Sequence, residues 1–194
     1  MAEEGAPLYV ALVHYPVLNR KGDTIASAIT NLDLHDLGRL VCTFGVPACY
    51  IVTPLADQQL LAQRVLHHWL VGVGKKLHPD RERALRRLRV VASIRSAQED
   101  IHLRWGTQPR VWATSAKGRA DGLTMRHARR LLQEDSAPCL LLLGTGWGLA
   151  PSVLEGADGI LETIKGVNGY NHLSVRCAAA ILLDRLLVRD RSLD

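Results

Sequence analysis

Short runs of apolar residues constrain this chain most: LYVALVH at Leu8–His14, ACYIVT at Ala48–Thr53, RVVASI at Arg89–Ile94, RVWAT at Arg110–Thr114 and PCLLLL at Pro138–Leu143. A strand with one wet face alternates apolar and polar residues. These runs largely do not alternate, which is the pattern of strands buried on both faces. Between them apolar residues recur at three- and four-residue steps. Leu34, Leu37, Leu40, Val41 and Phe44 predict a helix within residues 25–44, and Leu61, Val65, Trp69 and Val73 predict one over 56–73. Shorter helices are predicted at 96–105 and 123–133. Val175, Ala178, Ala179, Leu182, Leu183 and Leu186 mark a final one, and Gly159–Thr163 is a possible short sixth strand. This alternation predicts an α/β fold, a mostly parallel sheet flanked by helices. The 194 residues read as a single domain, 1–194, large enough to bury a real core. The one linker-like piece is GVGKKLHPD, residues 72–80.

Composition narrows the partners. No stretch is apolar for 18 or more residues, so no membrane span is expected. No secretory segment opens the sequence. Four cysteines, Cys42, Cys49, Cys139 and Cys177, lack CxxC spacing. Cys49, Cys139 and Cys177 lie in or beside apolar runs, so the four read as buried thiols of a reducing, cytoplasmic compartment rather than as disulfides or a metal site, and no metal is expected. The formal charge of +5 permits an anionic partner. Arg81, Arg83, Arg86, Arg87, Arg89 and Arg95 form one basic group; Lys117, Arg119, Arg126, Arg129 and Arg130 form another. Each is a candidate contact for an RNA backbone or a solvated helix face.

In parallel sheets ligands sit beyond the carboxyl ends of the strands. PCLLLL is followed there by Gly144-Thr145-Gly146-Trp147-Gly148, and RVWAT by Ser115-Ala116-Lys117-Gly118-Arg119. Three glycines in five residues mark either a tight connection or backbone that a ligand approaches closely. The spacing fits neither common phosphate-loop pattern. Before the last helix, Asn171, His172 and Ser174 form a glycine-flanked polar run. Asn171 or His172 is a candidate helix cap, a ligand contact, or both.

Three segments together resemble the SPOUT class of RNA methyltransferases. LLLLGTGWGL is similar to that class's strand and glycine loop. Residues 164–174, IKGVNGYNHLS, running into CAAAILL, are similar to its closing segment. Residues 33–46, DLHDLGRLVCTFGV, resemble its first motif, with matching Arg-to-Phe-Gly-Val spacing. Three departures stand out: Gly146 replaces an acidic residue, Ser174 an asparagine, and Lys165 a proline; Asp33 also stands where the class has asparagine.

The resemblance implies an α/β fold ending in a deep C-terminal trefoil knot, and a homodimer packed through the N- and C-terminal helices. It implies S-adenosylmethionine as cofactor, held by Thr114, Leu143, Gly144, Gly146, Gly148, Ile164, Val167, Asn171, His172, Leu173 and Ser174. Main-chain groups near Ile164, Val167 and Leu173 would pair with the adenine edge, and Leu143, Ile164 and Leu173 would cover its faces. It places Arg39 at the catalytic position, oriented by Asp33 or Asp36. Asp36 or His35 is the alternative base for a ring nitrogen. A guanidinium is a poor base but a good stabiliser of a developing alkoxide. Arg83, Arg86, Arg87, Lys117 and Arg119 would contact RNA; aromatics are few, which speaks against a single-strand stacking platform, so a folded RNA such as tRNA is expected. Expected activities are 2′-O-ribose methylation first and N-methylation of a guanine base in tRNA or rRNA second. A knotted RNA-binding protein without catalysis is a third reading. A doubly wound nucleotide-binding oxidoreductase is disfavoured, because LYVALVH runs into Tyr15-Pro16-Val17 with no glycine fingerprint. Trp147 and Tyr170 flank the expected pocket or belong to the core.

Overall fold

The computed structural model describes residues 7–117, 122–168 and 170–188. Its strands are β1 (Leu8–Val13), β2 (Val17–Leu18), β3 (Thr24–Ile25), β4 (Cys49–Val52), β5 (Leu88–Val91), β6 (Arg110–Ala113), β7 (Cys139–Gly144) and β8 (Gly159–Ile160). Its helices are α1 (Asn31–Thr43), α2 (Ala56–Leu70), α3 (Val73–Leu77), α4 (Pro79–Leu85), α5 (Ile94–Trp105), α6 (Met125–Glu134), α7 (Pro151–Glu155) and α8 (Val175–Leu187). Six strands form one sheet in the order β5-β4-β1-β7-β6-β8, and every pairing in it among the described residues is parallel.

Four of the five apolar runs have the expected consequence; the strand expected over Arg89–Ile94 is instead Leu88–Val91, half-buried for the most part because β5 is an edge strand, and Ile94 opens α5 behind the Ser93 cap. Val10, Leu12, Ile51, Leu141 and Leu143 face one core, shared with Leu34 and Leu37 of α1, Leu66 of α2, Leu132 of α6 and Leu182 of α8. Tyr9, Ala11, Tyr50, Leu140 and Leu142 face the other, closed by Ala97 and Ile101 of α5, with Leu154 of α7 packed against it. Successive side chains point to opposite faces, so a strand buried on both sides cannot carry a polar alternation.

Three further features depart from the sequence reading. Residues 72–80 are not a linker: α3 occupies most of them, and Pro79 opens α4. Proline suits the first helical position, where its missing N–H has no partner to lose. The small β2–β3 hairpin was not expected; two residues per strand leave no periodicity. Cys177, placed beside an apolar run, is exposed, whereas Cys49 and Cys139 are buried. Burial pushes the Cys49 thiol up to about 12, so it stays protonated and inert.

Candidate functional site

The carboxyl ends of β1 and β7 converge with the first turns of α1 and α8. His14 follows β1 directly and is fully buried. Its Nδ1 lies 2.9 Å from Ser27 Oγ, and Ser27 Oγ lies 2.5 Å from Thr145 Oγ1. The Thr145 hydroxyl donates to the Val13 carbonyl at 3.0 Å. A relay of short polar contacts therefore pins the start of the glycine loop to the end of β1.

Burial pushes the His14 pKa below its usual value, while the Asp33 charge and the Ala28 carbonyl pull the other way. The unfolded chain thus takes up a proton at higher pH than the folded one. The stability this group contributes is fully present above its unfolded pKa of about 6.5 and is lost as pH falls toward the depressed folded value. Thermal melts of the wild type should decline as pH is lowered from about 7.5 to about 5, and His14→Gln should decline less steeply. Parallel curves for the two proteins would contradict this assignment.

Two of the three loop glycines serve internal packing. A Cβ on Gly144 would meet the Leu149 nitrogen at 2.6 Å, and one on Gly146 the Leu18 carbonyl oxygen at 2.9 Å. The loop is stitched to the hairpin by Trp147 N–H donating to Leu18 O and Leu18 N–H donating to Gly148 O, both 2.9 Å. The tight-connection reading therefore accounts for Gly144 and Gly146. Gly148 has left-handed φ of 102° with nothing near its missing Cβ.

The segment from Leu161 onward lies against the loop that follows β6. Leu161 N–H donates to Ala113 O at 2.9 Å, the Thr163 hydroxyl to Ser115 O at 3.3 Å and the Asn171 amide to Ala116 O at 3.2 Å. Thr114, half-buried, donates to Leu142 O at 2.9 Å. Leu143 is packed in the core, Ile164 rests against it, and Val167 and Leu173 are exposed. Among the described residues, the main-chain groups of Ile164, Lys165, Val167, His172 and Leu173 make no hydrogen bond within the protein. Such free donors and acceptors on a bent segment fit the edge of an adenine. Ser174, and not Asn171 or His172, caps α8, its hydroxyl accepting from Cys177 N–H at 3.3 Å. Asn171 is instead the tie to the β6 loop.

On α1 the carboxylates do not orient Arg39. Asp33 closes a capping box with Thr30, and its other oxygen meets Arg176 at 3.2 Å; Asp36 meets Arg176 at 3.0 Å. Arg176, in the first turn of α8, thus ties that helix to α1. The sequence reading missed this residue, because the pairing spans 143 positions. Arg39 is exposed, and its guanidinium forms no ion pair or hydrogen bond among the described residues. Its charge reaches His35, whose pKa burial lowers first, followed by Arg81. Gly38 brings α1 against α4, with Leu85 Cδ2 3.0 Å from where a Cβ would sit. The α4 arginines therefore lie alongside the helix that carries Arg39.

The basic residues expected to meet RNA are not equally available. Arg86 pairs with Glu82, and Arg87 donates to the Val46 carbonyl at 2.6 Å. Arg81 sits over the Trp69 ring at 4.5 Å. Arg83 and Lys117 are exposed. Arg119 lies outside the described residues. A groove of about 460 Å³ between α5 and α7, lined by Tyr15, Ile94, Arg95, Leu142 and Val153 among others, includes none of the residues expected to hold a cofactor.

A family model described as SAM-dependent RNA methyltransferase matches residues 7–188. A chain from Oleidesulfovibrio alaskensis named tRNA (guanine-N(1)-)-methyltransferase is 51% identical over 183 residues, which are 94% of this chain and 42% of that one. This chain therefore spans less than half the length of that relative. An uncharacterized protein from Aquifex aeolicus is 34% identical over 95% of this chain and 90% of its own length. A solved structure, the A. aeolicus TrmH/SpoU tRNA modifying enzyme, superposes with TM-score 0.57 at 12% identity, covering 95% of this chain and 74% of that one. At that identity the likeness is one of fold.

Proposed function

This chain belongs to the S-adenosylmethionine-dependent RNA methyltransferase family, whose model spans nearly all of it, and from that premise we propose that it methylates a guanine base in tRNA. The observation that carries the target is the 51% identity to a chain named for guanine-N1 methylation of tRNA. The chemistry on α1 supports it. A ring N–H must lose its proton as the new bond forms, and a carboxylate within reach is sufficient base for that. Asp36 is half-exposed, one turn from Arg39, and held in place by Arg176.

S-adenosylmethionine supplies a methyl carbon already made electrophilic by its sulfonium. The protein's work is positioning, proton removal and exclusion of water. The main chain of residues 164–173 would hold the adenine edge, with Thr114, Ile164 and Leu173 beside it and Gly148 leaving room at the loop. Asp36 would take the proton, and Arg39 would steady the negative charge left on the base. Arg83 and Lys117 would meet phosphates.

The reading includes a threaded tail. In its support, α8 returns from the β8 edge to pack on β7, α1 and α6, while residues 163 and 171 hold the β6 loop. It also includes a homodimer through α1 and α8, which Arg176 already joins into one face. A second reading, 2′-O-ribose methylation, is favoured by the unpaired Arg39, since an alkoxide needs a cation more than a base anion does.

Incubation of unmodified tRNA with the protein and S-adenosylmethionine, followed by nucleoside mass spectrometry, decides between them. A methylated guanine base is expected. A 2′-O-methyl nucleoside would move the assignment to the second reading. Absence of any methylated nucleoside, with cofactor binding intact by calorimetry, would reject catalysis.

A further inference from the structure

Trp147 and Tyr170 are not core residues: they are 57% and 70% exposed. Trp147 sits in a turn closed by Gly148 N–H donating to Thr145 O at 3.0 Å, with left-handed glycines on both sides, φ 58° and 102°. Tyr170 and His172 flank Asn171, whose side chain is tied to Ala116 O. Their rings fall on one side of the segment, 5.6 Å apart, and the His172 ring lies 6.3 Å from Trp147. Both contacts are edge-to-face, at 63° and 69°. An edge-to-face contact occupies at most one face of a ring, and the exposure of Trp147 and Tyr170 leaves ring surface of both open to solvent. Neither residue belongs to either core cluster.

We propose that Trp147, His172 and Tyr170 form a stacking platform for a nucleobase of the RNA substrate, beside the segment that would hold the cofactor. This rests on the RNA reading above and adds the element that receives the base. The chemistry favours a nucleobase over a protein surface. The three rings all carry polar edges, and every base has a π face that stacks on such rings without sequence preference. Lys165 and Lys117 are exposed on the neighbouring loops, matching a phosphate backbone leading away from the stacked base. The ring cluster joins two loops that the chain keeps far apart in sequence, so the platform exists only in the folded protein.

The test uses the full chain, with bulk tRNA as the probe. Trp147→Ala and Tyr170→Ala should each raise the KM for tRNA about tenfold. In Trp147→Ala, cofactor affinity by calorimetry and kcat should stay within about twofold, and Trp147→Phe should recover most of the loss. Trp147 fluorescence should also be quenched on tRNA binding, with the quench lost in Trp147→Phe. Unaltered tRNA affinity in both alanine variants overturns the platform. So does a cofactor affinity that drops while tRNA affinity holds, which would give the rings to the cofactor. So does conversion of a dimer to a monomer in sedimentation, which would make the rings an interface between copies. If the wild type binds tRNA with the quench but transfers no methyl group, the platform stands and the proposed activity falls.

Discussion

Replacing Gly144 by alanine is expected to destabilise the protein by about 3 kcal/mol, lowering Tm by roughly 10 °C. The reason is local and rigid. The new methyl would fall 2.6 Å from the Leu149 nitrogen, 2.9 Å from Leu149 Cγ and 3.0 Å from the Gly148 carbonyl carbon. Two of those three atoms are main chain and cannot rotate away. Gly144 is also paired with Val13 in the central sheet, so the strand cannot shift without breaking that register. The Thr145 relay to Ser27 and His14 begins at the next residue. A displaced Gly144 should therefore weaken cofactor binding as well. Differential scanning calorimetry and cofactor titration on the same sample check both. A melting temperature within about 2 °C of wild type would mean that the loop yields freely, and that close packing is not why glycine stands there.

Arg39→Ala should reduce methyl transfer about 100-fold or more while leaving fold and cofactor affinity nearly unchanged. Arg39 is exposed on its helix and its guanidinium pairs with none of the described residues, so its removal breaks no ion pair among them and opens no cavity. Surface changes of that kind stay within about 0.5 kcal/mol. Its effect on the reaction is of another kind. A guanidinium placed beside developing negative charge acts far more strongly once bound substrate excludes water from around the pair than it does in solvent. Single-turnover rates at saturating cofactor isolate that term. Arg39→Lys should restore part of the rate, because the charge returns without the planar donor fork. Turnover equal to wild type in Arg39→Ala would make Arg39 an ordinary surface residue and move the chemistry to Asp36.

Much of the fold was legible in the residue order. Strand cores at Leu8–Val13, Cys49–Val52 and Cys139–Gly144 announced themselves, since burial on both faces leaves an unbroken apolar run. The long helices did so through their three- and four-residue spacing. The family followed from motif spacing, which is also a property of order along the chain. Five short elements escaped: β2, β3, α3, α4 and α7 carry no unbroken apolar run and are too short to establish a period.

The site was legible only as a set of neighbourhoods. Residue order placed Asp33, Asp36 and Arg39 on one helix and made them partners. The fold gave both carboxylates to Arg176 and left Arg39 without an ion pair among the described residues. Residue order offered Asn171 or His172 as the cap of α8, and the fold used Ser174. It could not decide whether Trp147 and Tyr170 were core or surface, and packing left both in solvent. The sequence alone determined which segments become strands and helices, and to which family the chain belongs, because those depend on periodicity and spacing between near neighbours. Which charge meets which, and which ring stays exposed, was decided by contacts between residues more than a hundred positions apart, such as Ser27 with Thr145 and Asp33 with Arg176. No local pattern encodes such contacts, since they exist only once the sheet has set the distance between its loops.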